Sequence, residues 1–172
     1  MADVRELGDL IHISAEAIGQ PGQRTFRLRA LNASAETAFL WMEKEQLAAL
    51  GEAVQNALKD QSYTYAPRPH DDRSETPVFP LHADVEFRVG QMSMGLDPED
   101  RKIVITGAEA GDPEDSGGQG VTMSFDFRSG HELSEQIRVV VASGRQPCPL
   151  CGAPLDPTGH ICVKANGHKP VG

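Results

Sequence analysis

The chain has 172 residues, 39% of them hydrophobic and 24% charged, and carries a formal net charge of −9. This composition is typical of a globular domain with its own core, and no apolar run approaches the roughly 18–20 residues that cross a bilayer. The charged N-terminus lacks the apolar stretch of a secretory signal, so we expect a cytoplasmic protein without membrane contact. The excess of acidic residues disfavours broad contact with nucleic-acid phosphates.

The first half of the chain, residues 8–59, predicts three strands and a helix. The strands are "IHISAEAIGQ", "RTFRLRALN" and "TAFLWM", and the helix is "EKEQLAALGEAVQNAL". In the second strand, Phe26, Leu28 and Ala30 alternate with Arg27 and Arg29, which predicts one apolar and one polar face. The helix carries an apolar stripe at spacings of three and four residues. Its members are Leu47, Leu50, Val54, Ala57 and Leu58.

Residues 83–144 repeat this order. The strands "DVEFRVGQMSMGL", "RKIVITGAEA" and "VTMSFDFRSG" precede the helix "HELSEQIRVVVASG". Ser129 stands three residues before Glu132, the spacing of a capping box, and predicts the start of the helix. Apolar side chains again alternate with charged ones along the strands. The charged positions on the polar faces are Glu86, Arg88, Asp126 and Arg128, and the apolar ones are Val85, Phe87, Val89, Phe125 and Phe127.

Together the two βββα units predict an α+β domain spanning residues 1–145. The six strands are expected to form a largely antiparallel sheet whose apolar face is covered by the two helices. The dipeptides Ile18-Gly19 and Val89-Gly90, each followed by Gln, fall at comparable places and suggest a duplicated unit. Residues 60–82 are proline-rich and predict a surface linker, and residues 146–172 predict a separate zinc-ribbon-like tail.

The tail holds the most specific motif, "CPLCGAPLDPTGHICVKANGH", with all three cysteines of the chain. Cys148 and Cys151 form a CxxC knuckle in which Gly152 allows the tight turn that aims both thiolates at one ion. The stretch Asp156-Pro157-Thr158-Gly159 predicts a turn that brings Cys162 opposite Cys151.

A second turn at Asn166-Gly167 predicts the return of a histidine to the same ion. We expect a Cys₃His zinc site, and His160 is the alternative fourth ligand. The preferred ligands are Cys148, Cys151, Cys162 and His168. A site closed by four protein ligands is typical of structural Zn²⁺, whereas a catalytic metal and redox-active thiols remain alternatives.

The C-terminal motif, with "FRVGQMSMGLDPEDRKIVI" and "WMEKEQLAALGEAV", resembles the DUF3090 family of uncharacterised bacterial proteins. The resemblance extends over nearly the whole chain. It implies an intracellular bacterial protein and does not indicate an activity.

No phosphate-binding loop, dinucleotide fingerprint, nucleophile elbow or HExxH motif is present in the sequence, and no catalytic residue is predicted. The leading hypothesis is a non-enzymatic module that binds a protein partner and contains structural zinc. The alternative is an enzyme or ligand-binding protein in which the arginine-bearing polar sheet face holds an anionic small molecule. A third hypothesis is nucleic-acid binding through the zinc ribbon, which the net charge of −9 disfavours.

Overall fold

The structure is a computed structural model that describes residues 3–20, 22–67, 77–111 and 118–142. The predicted tail and its five candidate ligands lie outside the described residues. The elements follow the expected βββα–βββα order. They are β1 (Asp3–Ile18), β2 (Thr25–Asn32), β3 (Thr37–Met42), α1 (Lys44–Asp60), β4 (Val85–Asp97), β5 (Lys102–Glu109), β6 (Gln119–Asp126) and α2 (Phe127–Ala142).

The six strands form one mixed sheet that closes on itself as a barrel in chain order. Strands within each unit pair antiparallel, namely β1–β2, β2–β3, β4–β5 and β5–β6. The two junctions between the units, β3–β4 and β6–β1, are parallel. The prediction of an α+β domain with six strands and two helices is thus confirmed. Four of the six pairings are antiparallel, as expected for a largely antiparallel sheet, but the two parallel pairings make the sheet a mixed one. The β3–β4 pairing is parallel because the α1 crossover returns the chain to the same end of the sheet, whereas the β1–β6 pairing closes the barrel.

The pairing pattern repeats because β1 and β4 are each long enough to pair with two other strands, one along each half. Residues 3–9 of β1 pair with β6 and residues 10–18 with β2, while residues 85–88 of β4 pair with β3 and residues 89–97 with β5. Both strands have an irregular register near their bends. At Gly90 a Cβ would lie 2.7 Å from the Cα of Ala110, so the β4 bend requires glycine.

The two glycine dipeptides do not occupy comparable places. Gly19, with a φ of +107°, begins the turn after β1, whereas Gly90 lies inside β4. The expectation that the two dipeptides fall at comparable places is therefore wrong, and they do not support a duplicated unit. Common origin of the two units remains a prediction, which rests on the repeated element order and pairing.

One face of the strands and one stripe of each helix form a shared hydrophobic core. Phe26, Leu28 and Ala30 are buried as the alternation predicted. The five predicted stripe residues of α1 are also buried, and α1 packs against α2 where Gly51 meets Ile137. None of the helices in the described part of the chain is long and apolar enough to cross a membrane.

The end of β6 differs from the prediction. The strand stops at Asp126, and Phe127 and Arg128 belong to the first turn of α2. The Asp126 carboxylate accepts a hydrogen bond from the backbone N–H of Ser129 at 2.7 Å. Asp126 therefore caps the helix instead of Ser129, because its carboxylate satisfies one of the unpaired N–H groups of the first turn.

Candidate functional site

The predicted zinc ligands Cys148, Cys151, His160, Cys162 and His168 all lie outside the described residues. Across the ranges that the structure does describe, no group of three or more His, Cys, Asp or Glu residues could hold a metal ion. The candidate site therefore lies at the other sequence-predicted feature, the arginine-bearing sheet face.

The four predicted surface arginines occupy three different settings. Arg27 and Arg29 lie two residues apart on β2, so both project from the face opposite the core. Arg88 lies on β4 and forms an ion pair with Glu43, next to the start of α1. Arg128 belongs to α2 and not to a strand. The sheet thus brings together Arg27 and Arg29.

The acidic partner of these arginines is Glu16, which the sequence analysis missed. Of the two acids expected there, Glu86 lies 3.4 Å from the His82 ring and Asp126 caps α2. Glu16 faces Arg27 directly across the β1–β2 pair. The period-two spacing of His12, Ser14 and Glu16 in β1 is the signal that could have identified it.

We call this surface the arginine–aromatic face. Strand register places its members side by side, because Ser14 opposes Arg29 and Phe39 opposes Arg29 from the other side. Phe79 covers it from the segment that precedes β4. The residues of the face are His12, Ser14, Glu16, Arg27, Arg29, Phe39, Trp41 and Phe79.

Two guanidinium groups share a single carboxylate on this face. The Arg27 Nε donates a hydrogen bond to Glu16 Oε1, and the Arg29 Nε lies 3.5 Å from Glu16 Oε2. The two arginine side chains are only 17% and 18% exposed. Their combined charge of +2 meets −1 on Glu16, so one positive charge stays uncompensated within the group at a largely desolvated place.

Aromatic rings fix the positions of both guanidinium groups. The Arg27 guanidinium carbon lies 4.4 Å from the centroid of the Phe39 ring and 5.0 Å from that of Trp41. The Arg29 guanidinium carbon lies 4.6 Å from the centroid of Phe79. Phe39 is fully buried although it points away from the core. Such cation–π contacts hold the arginines without consuming their hydrogen-bond donors.

Three buried polar atoms of the face lack a hydrogen-bond partner within the described structure. They are Ser14 Oγ, His12 Nε2 and Arg29 Nε. Ser14 is only 4% exposed. Burial and, secondarily, the positive charge of Arg29 lower the pKa of His12, which favours a neutral imidazole. Buried polar groups without a hydrogen bond are rare and costly, and a bound polar group or water would supply the missing partner.

The equivalent face of the second unit is chemically plain. Its positions on β4, β5 and β6 carry Gln91, Ser93, Thr106, Ala108 and Thr122, with the two threonine hydroxyls 3.2 Å apart. All of these residues except Thr122 border a shallow cavity of about 480 Å³. The arginines and aromatic rings are therefore specific to the first unit and are not required by the barrel itself.

A groove of about 300 Å³ lies between the helices. It is lined by Gly51 and Gln55 of α1 and by Ser134, Ile137 and Val141 of α2. The groove is largely apolar. Its titratable side chains are Glu52 and Arg138, and Arg138 is paired with Glu135, so the arginine–aromatic face is the stronger candidate for ligand chemistry.

Comparison with known proteins identifies the family. No curated protein and no solved structure matches the chain. A family model described as "Protein of unknown function (DUF3090)" matches residues 6–162, which include all of the barrel except the first three residues of β1, and the three cysteines. That span is most of the chain. The protein therefore belongs to the DUF3090 family.

Proposed function

We propose that this protein is a binding protein that holds an anionic small molecule on the arginine–aromatic face. The observation that carries the proposal is the sharing of Glu16 by Arg27 and Arg29, which leaves one uncompensated positive charge on rigidly held, largely buried side chains. Charge of this kind is costly unless an anion or water completes it.

The terminal amino groups of the two arginines are the donors available to such an anion. Within the described chain, no hydrogen bond from these groups to a protein acceptor is present. Glu16 accepts instead from Arg27 Nε and lies 3.5 Å from Arg29 Nε. The planar guanidinium fork suits two oxygens of a carboxylate or phosphate. The face therefore offers charge, directed donors and apolar walls within one small area.

The test uses Trp41, the sole tryptophan of the chain, as a fluorescence reporter at the face. We expect inorganic phosphate or benzoate to change Trp41 emission in a saturable way. Arg27→Gln should lower the affinity for the anion about tenfold or more. Arg138→Gln is the matched control, because Arg138 is exposed on α2 and paired with Glu135. Equal weakening by both substitutions, or no saturable response to either anion, would overturn the proposal.

A second proposal concerns the tail: a structural zinc ion that stabilises a surface for a protein partner. It is supported by the clustering of three cysteines and two histidines within residues 148–168. We propose ligation by Cys148, Cys151, Cys162 and His168, with His160 as the alternative fourth ligand. The zinc would order the tail and would not take part in catalysis.

Native mass spectrometry of the protein isolated from its own lysate tests this second proposal. We expect about one zinc ion per chain, lost in Cys148→Ser, together with a bound protein. A metal-free protein would refute the zinc site. A stoichiometric small metabolite with no protein partner would favour the first proposal over the second.

A further inference from the structure

Phe79 covers the arginine–aromatic face through its side chain alone. Its ring centroid lies 5.7 Å from that of His12 and 5.8 Å from that of Phe39, and the Arg29 guanidinium stacks on it. Within the described chain, no backbone–backbone hydrogen bond joins residues 77–83 to another segment. The neighbours Val78 and Leu81 are 98% and 86% exposed. The ring is therefore docked on the face by a segment that the sheet does not hold.

The strands whose residues contact this ring carry buried polar atoms that make no hydrogen bond within the described structure. Arg29, which contacts the ring, opposes Ser14 across the β1–β2 pair, and His12 stands two residues before Ser14 on the same strand. Ser14 Oγ, Arg29 Nε and His12 Nε2 are buried and make no hydrogen bond within the described structure, although Arg29 Nε lies 3.5 Å from Glu16 Oε2. An aromatic wall and several unused polar atoms thus lie together at one place, and the ring of Phe79 fills the space between His12, Phe39 and Arg29.

We propose that Phe79 is an internal occupant of a binding site for an aromatic carboxylate. The ring of the ligand would replace the ring of Phe79 against Phe39 and His12, and its carboxylate would accept hydrogen bonds from Ser14 and Arg29. The inference rests on the proposed function for the two arginines, and it adds the class of ligand and the group that the ligand displaces.

Charge and shape favour a carboxylate over a phosphate at this place. The local charge of Arg27, Arg29 and Glu16 sums to +1, which one carboxylate neutralises, whereas a phosphate dianion would bury an unmatched negative charge. The flat walls also match a planar ligand, because the Arg29 guanidinium and Phe39 already contact the ring of Phe79. Benzoate combines both features and is the probe of choice.

Phe79→Ala removes the internal competitor and tests the inference. We expect the variant to bind benzoate about tenfold tighter than the wild type, measured by Trp41 fluorescence, because the ligand need no longer displace the ring. Val78→Ala, one position away on the same segment, is the matched control and should bind as the wild type does. Adding Ser14→Ala to Phe79→Ala should weaken benzoate binding again.

Acetate distinguishes a site for the ring from simple opening of the face. It carries the charge of benzoate without the ring, so its affinity should gain much less from Phe79→Ala. Benzoate bound no tighter by Phe79→Ala than by the wild type, or acetate gaining as much as benzoate, would overturn the inference. Should Phe79→Ala not fold, Phe79→Leu serves in its place, since it keeps an apolar cover but loses the ring contacts.

The outcomes separate this inference from the function on which it rests. If Arg27→Gln abolishes phosphate binding while Phe79→Ala leaves benzoate affinity unchanged, the anion-binding function stands and the aromatic-carboxylate site falls. If no variant binds either anion, both fall together.

Discussion

Replacing Ser14 by alanine should stabilise the protein in the absence of ligand. The Ser14 hydroxyl is buried, with 4% of the residue exposed, and its Oγ has no hydrogen-bond partner in the described structure. Leaving such a group unsatisfied costs about 1–3 kcal/mol, which the substitution would recover. A small part of this stabilisation is lost again because the packing contacts of the removed oxygen disappear. We expect the free energy of unfolding to rise by about 1 kcal/mol, which corresponds to about 2–4 °C in Tm for a chain of this size.

Thr37→Val is the matched control, because Thr37 carries a buried hydroxyl that is paired. Thr37 lies on β3, and its Oγ1 donates to the Asp84 carboxylate and accepts from the Asp84 backbone N–H, each at 3.1 Å. Removing that hydroxyl leaves partners unsatisfied and should lower the free energy of unfolding by about 1–2 kcal/mol. Urea titrations of both variants measure the difference. If Ser14→Ala is destabilised as much as Thr37→Val, the Ser14 hydroxyl has a partner in solution and the reasoning is refuted.

Three further predictions concern helix packing, pH and zinc. Gly51→Ala places a Cβ 2.8 Å from Ile137 Cγ2 and should destabilise the chain by about 1 kcal/mol in thermal unfolding, a loss that disappears in an Ile137→Ala background. Burial and, secondarily, the charge of Arg29 lower the pKa of His12 in the folded protein from its ordinary 6.5. The stabilisation that comes from a neutral His12 is therefore fully present above about pH 6.5 and is lost as the pH falls below that value. Urea unfolding at about pH 7.5 and about pH 5.5 should therefore show a larger loss for the wild type than for His12→Gln; an equal loss would contradict the assignment. His168→Ala should lower the affinity for zinc, measured by competition with a chelator, about tenfold or more beyond the loss caused by His160→Ala. A larger loss for His160→Ala would make His160 the ligand.

The elements of the fold were readable from the sequence, but their closure into a barrel was not. Alternation of Phe26 and Leu28 with the arginines reports which face of one strand is buried, because burial acts on each side chain separately. The parallel pairing of residues 3–9 with residues 119–124 joins segments more than a hundred positions apart. No periodicity within either segment records which neighbour it will have, so the mixed pairing emerges only in the folded chain.

The candidate site shows the same division. Arg27 and Arg29 were recognisable as outward-facing residues of β2, since side-chain direction alternates along any strand. Their partners were not, because Glu16 is set by the register of β1 against β2. Phe79 lies within the stretch that the sequence analysis read as a linker, and no local pattern predicts its contact with Arg29. Local alternation therefore identified the face, while register and tertiary contacts decided its chemistry.

The parallel pairing of β1 with β6 also constrains the order of events during folding. Residues 3–9 acquire their β6 partner only after residues 119–124 have been synthesised, so this edge of β1 stays open until then. Contacts between such distant segments carry a large loop-closure cost and slow folding relative to local hairpins. We expect the β2–β3 and β5–β6 hairpins to form early and the β1–β6 pairing, which closes the barrel, to form last. A chain released before residue 119 has been added would then keep an unpaired strand edge that can aggregate.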